Sequence, residues 1–233
     1  MRKLGLLLVI CTISLMLMGN SQAYTGGLPL KYYPKNSVLI QTLELDSKRL
    51  LGNIIVLPLD PFNEIEAAAI ITRINQLPQS LLKKINQEGI DVKLFNGRLT
   101  DNPTTEHLRG LVPRGYINQI MWDDIPGIGG SKTVLVKIGH SEKGKGHGSV
   151  NLELHELAHS IDRQVFDDLR YNQRYLKIWN DEKGNVFPNQ DYFLTFSEEY
   201  FAETFAMFYL GGEHKEQLRL KAPKTYDFIK NLY

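Results

Sequence analysis

The chain has 233 residues, 42% hydrophobic and 23% charged, which is ordinary for a globular protein and enough for one domain with a sizeable core. A formal net charge of +1 gives no electrostatic case for nucleic acid or an acidic membrane as partner. The single cysteine, Cys11, lies in the leading apolar segment, so the rest of the chain has neither thiol nor disulfide to use.

That leading segment reads as a secretory signal peptide. Arg2-Lys3 is a short basic start, Leu4–Met18 is a nearly unbroken apolar run, and Ser21-Gln22-Ala23 is a small-x-small cleavage site. The apolar run is short for a membrane span, so cleavage after Ala23 and an extracellular destination are expected. Removal of residues 1–23 takes away Arg2 and Lys3 and no acid, which moves the formal charge from +1 to −1. No later stretch is long and apolar enough to cross a bilayer, so no membrane association is expected after cleavage.

Tyr24–Asn36, with Gly26-Gly27, Pro29 and Pro34, reads as a flexible mature N-terminus. Asn53–Leu59 reads as a strand ended by Pro58 and Pro61. Asn63–Gln76 reads as a helix, with Asn63 as its cap and Glu66 placed as in a capping box. Ser80–Gln87 is a second short helix stopped at Gly89, and Asp91–Phe95 a second strand followed by the turn signal Asn96-Gly97. Arg98–Tyr116 is mixed, broken by Gly110, Pro113 and Gly115. Trp122 to Ser131 holds Gly127, Gly129, Gly130 and Pro126, and is expected to be a mobile loop. Thr133–Gly139 alternates through Val134, Val136 and Ile138 and reads as a strand, and Ser141–Gly148 as a solvated basic loop.

Asn151–Phe166 carries the chemistry. Leu152, Leu154, Ala158, Ile161 and Val165 recur at helical spacing with no Gly or Pro between them. Within it stands His155-Glu156-Leu157-Ala158-His159. Positions four apart share a helix face, so the two imidazoles can meet at one point and supply half of a zinc site. Glu156, beside the first ligand, is placed to take a proton from a water activated by the ion. Downstream, Tyr171–Trp179 is a helix, Asn180–Asp191 an irregular connection, and Ser197–Leu210 a strong helix capped by Ser197 and ended by Gly211-Gly212. Glu213–Leu220 and Ala222–Leu232 close the chain.

The third ligand does not follow on the same helix, where Asp162 and Val165 simply continue the pattern. Glu198, Glu199 and Glu203 on Ser197–Leu210 are the acidic candidates. Glu199, Ala202, Glu203 and Ala206 share one face, and the two alanines would let this helix come close. Glu199 can then reach the metal, and Glu203 can hold a ligand histidine by its other ring nitrogen. Read without that partnership, the same acids are a solvated helix start favoured by the macrodipole.

The zinc helix, Glu199-Tyr200-Phe201-Ala202-Glu203-Thr204-Phe205-Ala206 and Ala222-Pro223-Lys224-Thr225-Tyr226 together resemble the lethal-factor-like zinc metallopeptidases, and among them the secreted Pro-Pro endopeptidases of Gram-positive bacteria. Leu99-Thr100-Asp101, Val112-Pro113-Arg114-Gly115, Trp122 through Ser131 and Gly144-Lys145-Gly146-His147 match in the same order, so the resemblance runs from about Asn53 to Tyr233. It implies zinc ligands at His155, His159 and Glu199, the general base at Glu156 and a supporting acid at Glu203. It implies that Tyr192, seven residues before the ligand Glu, helps hold the oxyanion. Read from its neighbours alone, Tyr192 is a half-buried loop aromatic. Trp122 and Gly129-Gly130-Ser131 correspond to the substrate-facing wall and loop, and Glu198 to a substrate-side acid. One departure is Ile120, where Pro-Pro endopeptidases can carry a Lys paired with the acid before the ligand Glu.

The expected protein is an α+β, zincin-like single domain over residues 37–233, with a small sheet, an active-site helix and a mainly helical C-terminal half. The expected function is a secreted, monomeric endopeptidase with one zinc per chain, cutting between prolines in a proline-rich protein such as a bacterial surface adhesin. The strand Thr133–Gly139 is expected to pair with the substrate. The alternatives are a lethal-factor-like protease of other specificity and a non-catalytic surface-binding module on the same fold.

Overall fold

A computed structural model describes residues 26–113 and 120–232. The expected signal peptide, Arg114-Gly115 of one family motif, and Tyr233 lie outside the described residues.

Five strands form one sheet among the described residues: β1 (Leu28–Pro29), β2 (Ile55–Leu57), β3 (Asp91–Phe95), β4 (Gly127–Ile128) and β5 (Thr133–Lys137), in the order β1-β2-β3-β5-β4. β2, β3 and β5 are parallel, and β1 and β4 run antiparallel at the two edges. β3 and β5 pair along their whole length, from Asp91 opposite Thr133 to Phe95 opposite Lys137. Val134, Leu135 and Val136 are all fully buried. A strand covered on both faces reads as a continuous apolar run, which is why the alternation expected of Thr133–Gly139 is incomplete.

The helices are α1 (Val38–Thr42), α2 (Lys48–Ile54), α3 (Glu64–Asn75), α4 (Gln79–Gln87), α5 (Leu152–Val165), α6 (Gln173–Val186), α7 (Asp191–Thr195), α8 (Ser197–Leu210), α9 (Gly212–Lys221) and α10 (Pro223–Lys230). α3 is capped as its sequence implies, Asn63 Oδ1 accepting from the Ile65 and Glu66 N–H groups at 3.1 and 3.2 Å. α5 is capped by Asn151, whose Oδ1 accepts from Leu154 N–H at 3.0 Å. α5 lies against β5 and β4, and α8 packs on α5 more extensively than on any other helix. Ala158, Ala202 and Ala206 are fully buried, and small side chains at these positions allow helices to come close. α8 is buried almost all round, from Glu199 through Phe208.

Three local expectations need correction. The stretch expected to be a loose start is built into the fold from Leu28 on, because β1 pairs with β2 and Leu30 is buried in the core. α1 and α2 were hidden by their shortness, and α2 runs into β2 without a break. α6 continues through Asn180–Val186, where an irregular connection was expected. Its polar sequence there hides Glu182 and Val186, which are both buried.

Candidate active site

α5 and α8 bring three ligand-type side chains to one point. One ligand atom from each of His155, His159 and Glu199 lies within 4.8 Å of the others. His155 Nε2 and His159 Nε2 are 3.2 Å apart, and Glu199 Oε2 is 3.5 Å from the first and 3.3 Å from the second. Two imidazoles and a carboxylate converging on one point suit a divalent transition metal.

The surrounding residues orient His155 and tie the two helices in place. Glu203, one helical turn after Glu199, accepts from His155 Nδ1–H at 3.0 Å. That bond sets the tautomer and leaves Nε2 facing the cluster. The other Glu203 oxygen accepts from the Val150 N–H at 2.9 Å, tying α8 to the chain just before α5. Glu153, fully buried in the first turn of α5, pairs with Arg73 of α3, whose Nη2 donates to Ser141 Oγ at 2.8 Å. Ser197, expected as the α8 cap, is instead its first residue, so Glu198 and Glu199 stand in the first turn, where the helix dipole favours negative charge.

Electrostatics point the same way as geometry. Burial works against a charged His155, but Glu199 and Glu203 outweigh it and push the imidazole up to about 10. Burial would raise Glu199, but pairing with His155 and His159 holds its carboxyl well below the usual carboxylate range. Both shifts say that the cluster prefers a positive charge at its centre, which a proton or a metal ion can supply.

A cleft of about 760 Å³ opens over the cluster. Glu156, Tyr192, Glu198, Trp122 and Phe193 line it, as do Gly127 to Gly130. Burial raises the Glu156 carboxyl, partly offset by His155, His159 and a hydrogen bond from the Gly129 N–H. His147 also faces the cleft, but both its nitrogens are engaged: one with the His140 carbonyl at 2.8 Å, the other with Ser149 Oγ at 3.1 Å. Burial lowers its pKa, so it shapes the wall as a neutral ring.

The Trp122–Ser131 stretch differs from the expected mobile loop. Gly127 and Ile128 form the edge strand β4, and Gly130 N–H donates to Ser160 Oγ on α5 at 2.9 Å. A Cβ on Gly129 would lie 1.9 Å from the Glu156 carbonyl oxygen, and one on Gly127 would lie 3.0 Å from Glu156 Cγ. These glycines let a strand backbone touch the active-site helix, which is the reason for their absent side chains. Ser131 is not in the cleft. Its Oγ donates to the Thr133 carbonyl at 2.7 Å and closes the β4–β5 turn. Nor is β5 open to a substrate, since β3 and β4 take both its edges. Among the described residues, the terminal strand of the sheet beside α5 is β4.

Trp122 stands on a small apolar cluster of Phe95, Leu99, Ile125 and Leu135, separate from the main core. The adjacent Asp123 accepts from Thr100 Oγ1 and from the Gly110 N–H, both at 2.8 Å, and so ties three loop segments beneath the wall. Sequence reasoning passed over Asp123. Its only signal was an acid next to an aromatic in a Gly-rich stretch.

The family model for the anthrax toxin lethal factor, N- and C-terminal domain, matches residues 40–232. The chain belongs to this family. Within it, a Pro-Pro endopeptidase of Clostridioides difficile is 39% identical over 187 residues, which is 80% of this chain and 84% of that protein. A Pro-Pro endopeptidase of Paenibacillus alvei is 36% identical over 185 residues, 79% of this chain and 85% of the other. The solved structure of the Paenibacillus alvei Pro-Pro endopeptidase matches with a TM-score of 0.75 at 36% identity, covering 79% of this chain and 100% of that one. The zincin-like α+β architecture, with a metal-type cluster between the H-E-x-x-H helix and α8, is therefore that of a lethal-factor-family domain. Among the described residues, no helix is long and apolar enough to cross a membrane.

Proposed function

We propose that this protein is a zinc endopeptidase that hydrolyses the bond between two consecutive prolines in extracellular proteins. The observation that carries the reading is the meeting of His155, His159 and Glu199 beside Glu156 in one cleft, in a chain similar to two Pro-Pro endopeptidases. His155, His159 and Glu199 would hold the zinc, with Glu203 orienting His155. When bound, zinc acts as a Lewis acid that makes water nucleophilic at neutral pH and polarises the scissile carbonyl.

The chain's own residues supply the rest. Glu156 accepts the proton of the attacking water and delivers it to the leaving nitrogen. Burial raises the Glu156 carboxyl, which favours its holding the proton between the two transfers. Tyr192, at the cleft and 41% exposed, donates its hydroxyl to the developing oxyanion. β4, terminal in the sheet among the described residues, offers backbone groups to an extended substrate. A proline in the substrate lacks an N–H for that pairing, so recognition falls on shape, for which the Trp122 face offers an apolar wall.

The leader Arg2 to Ala23 supports secretion, and with it a proline-containing target outside the cell, such as a surface adhesin. His155, Glu156, His159, Tyr192 and Glu199 all come from one chain, which is compatible with a monomer. The test is a competition among peptides bearing Pro-Pro, Pro-Ala, Ala-Pro and Ala-Ala at the central bond. Cutting of Pro-Pro alone is expected. Equal cutting of Ala-Ala would leave a lethal-factor-family protease of broader specificity, and tight binding with no cutting would leave a binding module.

A further inference from the structure

Tyr192 sits on α7, a five-residue helix with no buried residue. So short a helix cannot define its own position, and its last carbonyls have no partners within it. The Tyr192 ring packs edge-on against Phe193 and Phe196, with centroids 5.7 and 5.5 Å away. A donor to a transition state needs a well-defined seat, and that includes the backbone that carries it.

The seat is provided by a stripe of α6. Tyr175, Trp179 and Lys183 are four residues apart and share one helix face. Each donates to a main-chain carbonyl of the segment that carries Tyr192 into α8. Trp179 Nε1–H donates to the Phe193 carbonyl at 3.1 Å, Lys183 Nζ to the Leu194 carbonyl at 2.8 Å, and the Tyr175 hydroxyl to the Ser197 carbonyl at 2.5 Å. The Lys183 ammonium lies 3.6 Å from the Trp179 ring centroid, so the two donors also hold one another. Phe193 is pinned from the same side by Phe187, with ring centroids 4.2 Å apart. Two of the three carbonyls belong to the last turn of α7, where a cation and an N–H donor satisfy groups that the helix leaves open.

We propose that Trp179 and Lys183 are positioning residues for the reaction, clamping the α7 backbone so that the Tyr192 hydroxyl stands where the oxyanion forms. The inference rests on the reading of Tyr192 given above, and neither residue lines the cleft itself. Both can be altered gently. Trp179→Phe keeps a ring but removes the donor, and Lys183→Met keeps the aliphatic stem but removes the ammonium.

The experiment measures kcat, KM, zinc content and melting temperature for each variant, alone and combined with Tyr192→Phe, with a Pro-Pro peptide as substrate. Tyr192→Phe by itself should lower kcat by about 10²-fold, the scale of one lost oxyanion donor. Trp179→Phe and Lys183→Met should each lower kcat by roughly 10-fold with KM and zinc content unchanged, as expected for a small misplacement of a catalytic group. In the Tyr192→Phe background they should cost nothing further, and Lys183→Arg should restore most of the loss. Equal losses in both backgrounds, or a lower melting temperature with kcat intact, would overturn the clamp while leaving the role of Tyr192 standing. An unchanged kcat in Tyr192→Phe alone would remove that role, and the clamp with it.

Discussion

The two sides of the cleft stand on different foundations. On one side, α5 and α8 belong to the main core, and the residues behind the metal cluster are buried: His155 at 8%, Glu199 at 9% and Glu203 at 3% exposure. On the other side, Trp122 and the two-residue strand β4 rest on the separate cluster of Phe95, Leu99, Ile125 and Leu135. The metal side is fixed by helix-to-helix distance and buried charge. The wall is fixed by backbone contact and a few apolar side chains. The division separates the residues that would hold the metal from those that shape the wall, and the two meet where β4 lies on α5.

The largest expected effect breaks the metal side. Glu199→Ala should lose zinc and all measurable turnover, because it leaves two histidines where three ligands are needed. Elemental analysis should fall from about one zinc per chain to a small fraction of that. Chelation of the wild-type protein should give the same inactive state, reversibly and with a lower melting temperature, since an ion that binds only the folded chain stabilises it. Full zinc content in the Glu199 variant would move the third ligand to Glu198 or Glu203.

Next comes a change that touches chemistry but no ligand. Glu156→Gln should keep zinc and fold but lower kcat by at least ~10²-fold, the scale of a positioned acid–base group. Wild-type turnover in this variant would exclude Glu156 as the base.

A substitution where the two sides meet should hurt less and differently. Gly129→Ala forces a methyl group against the Glu156 carbonyl, so β4 must move off α5. The expected cost is about 1–3 kcal/mol of stability, with zinc retained and kcat/KM lowered. Calorimetry and peptide kinetics would check both, and an unaffected enzyme would mean that β4 is free of α5 in solution.

The smallest effect should come from the rim. Ile120 is 36% exposed, and Ile120→Lys should change stability by no more than about 0.5 kcal/mol. Its mark should be a changed preference for residues flanking Pro-Pro, read from a peptide library, at constant zinc content. A shift in zinc affinity would show that the two sides are coupled after all.

Whatever depends on neighbours a few residues away was legible in the sequence. The helix expected over Asn151–Phe166 follows from apolar spacing and is found at Leu152–Val165, and its periodicity alone puts His155 and His159 on one face. The strand Asp91–Phe95, the helix Ser197–Leu210 and the shared face of Glu199 and Glu203 follow from equally local rules. Tertiary structure decided what depends on which segment lies beside which. Gly127 and Gly129 looked like sources of freedom, yet they are points of contact, because only the fold lays β4 on α5. Thr133–Gly139 looked available to a substrate until β3 and β4 took its edges. The polar run Asn180–Val186 looked irregular, yet it completes α6, because Glu182 is buried and caps α10, accepting from the Lys224 and Thr225 N–H groups at 2.9 and 2.8 Å. In each case local propensity was weak or ambiguous, and contacts with distant parts of the chain supplied the deciding free energy.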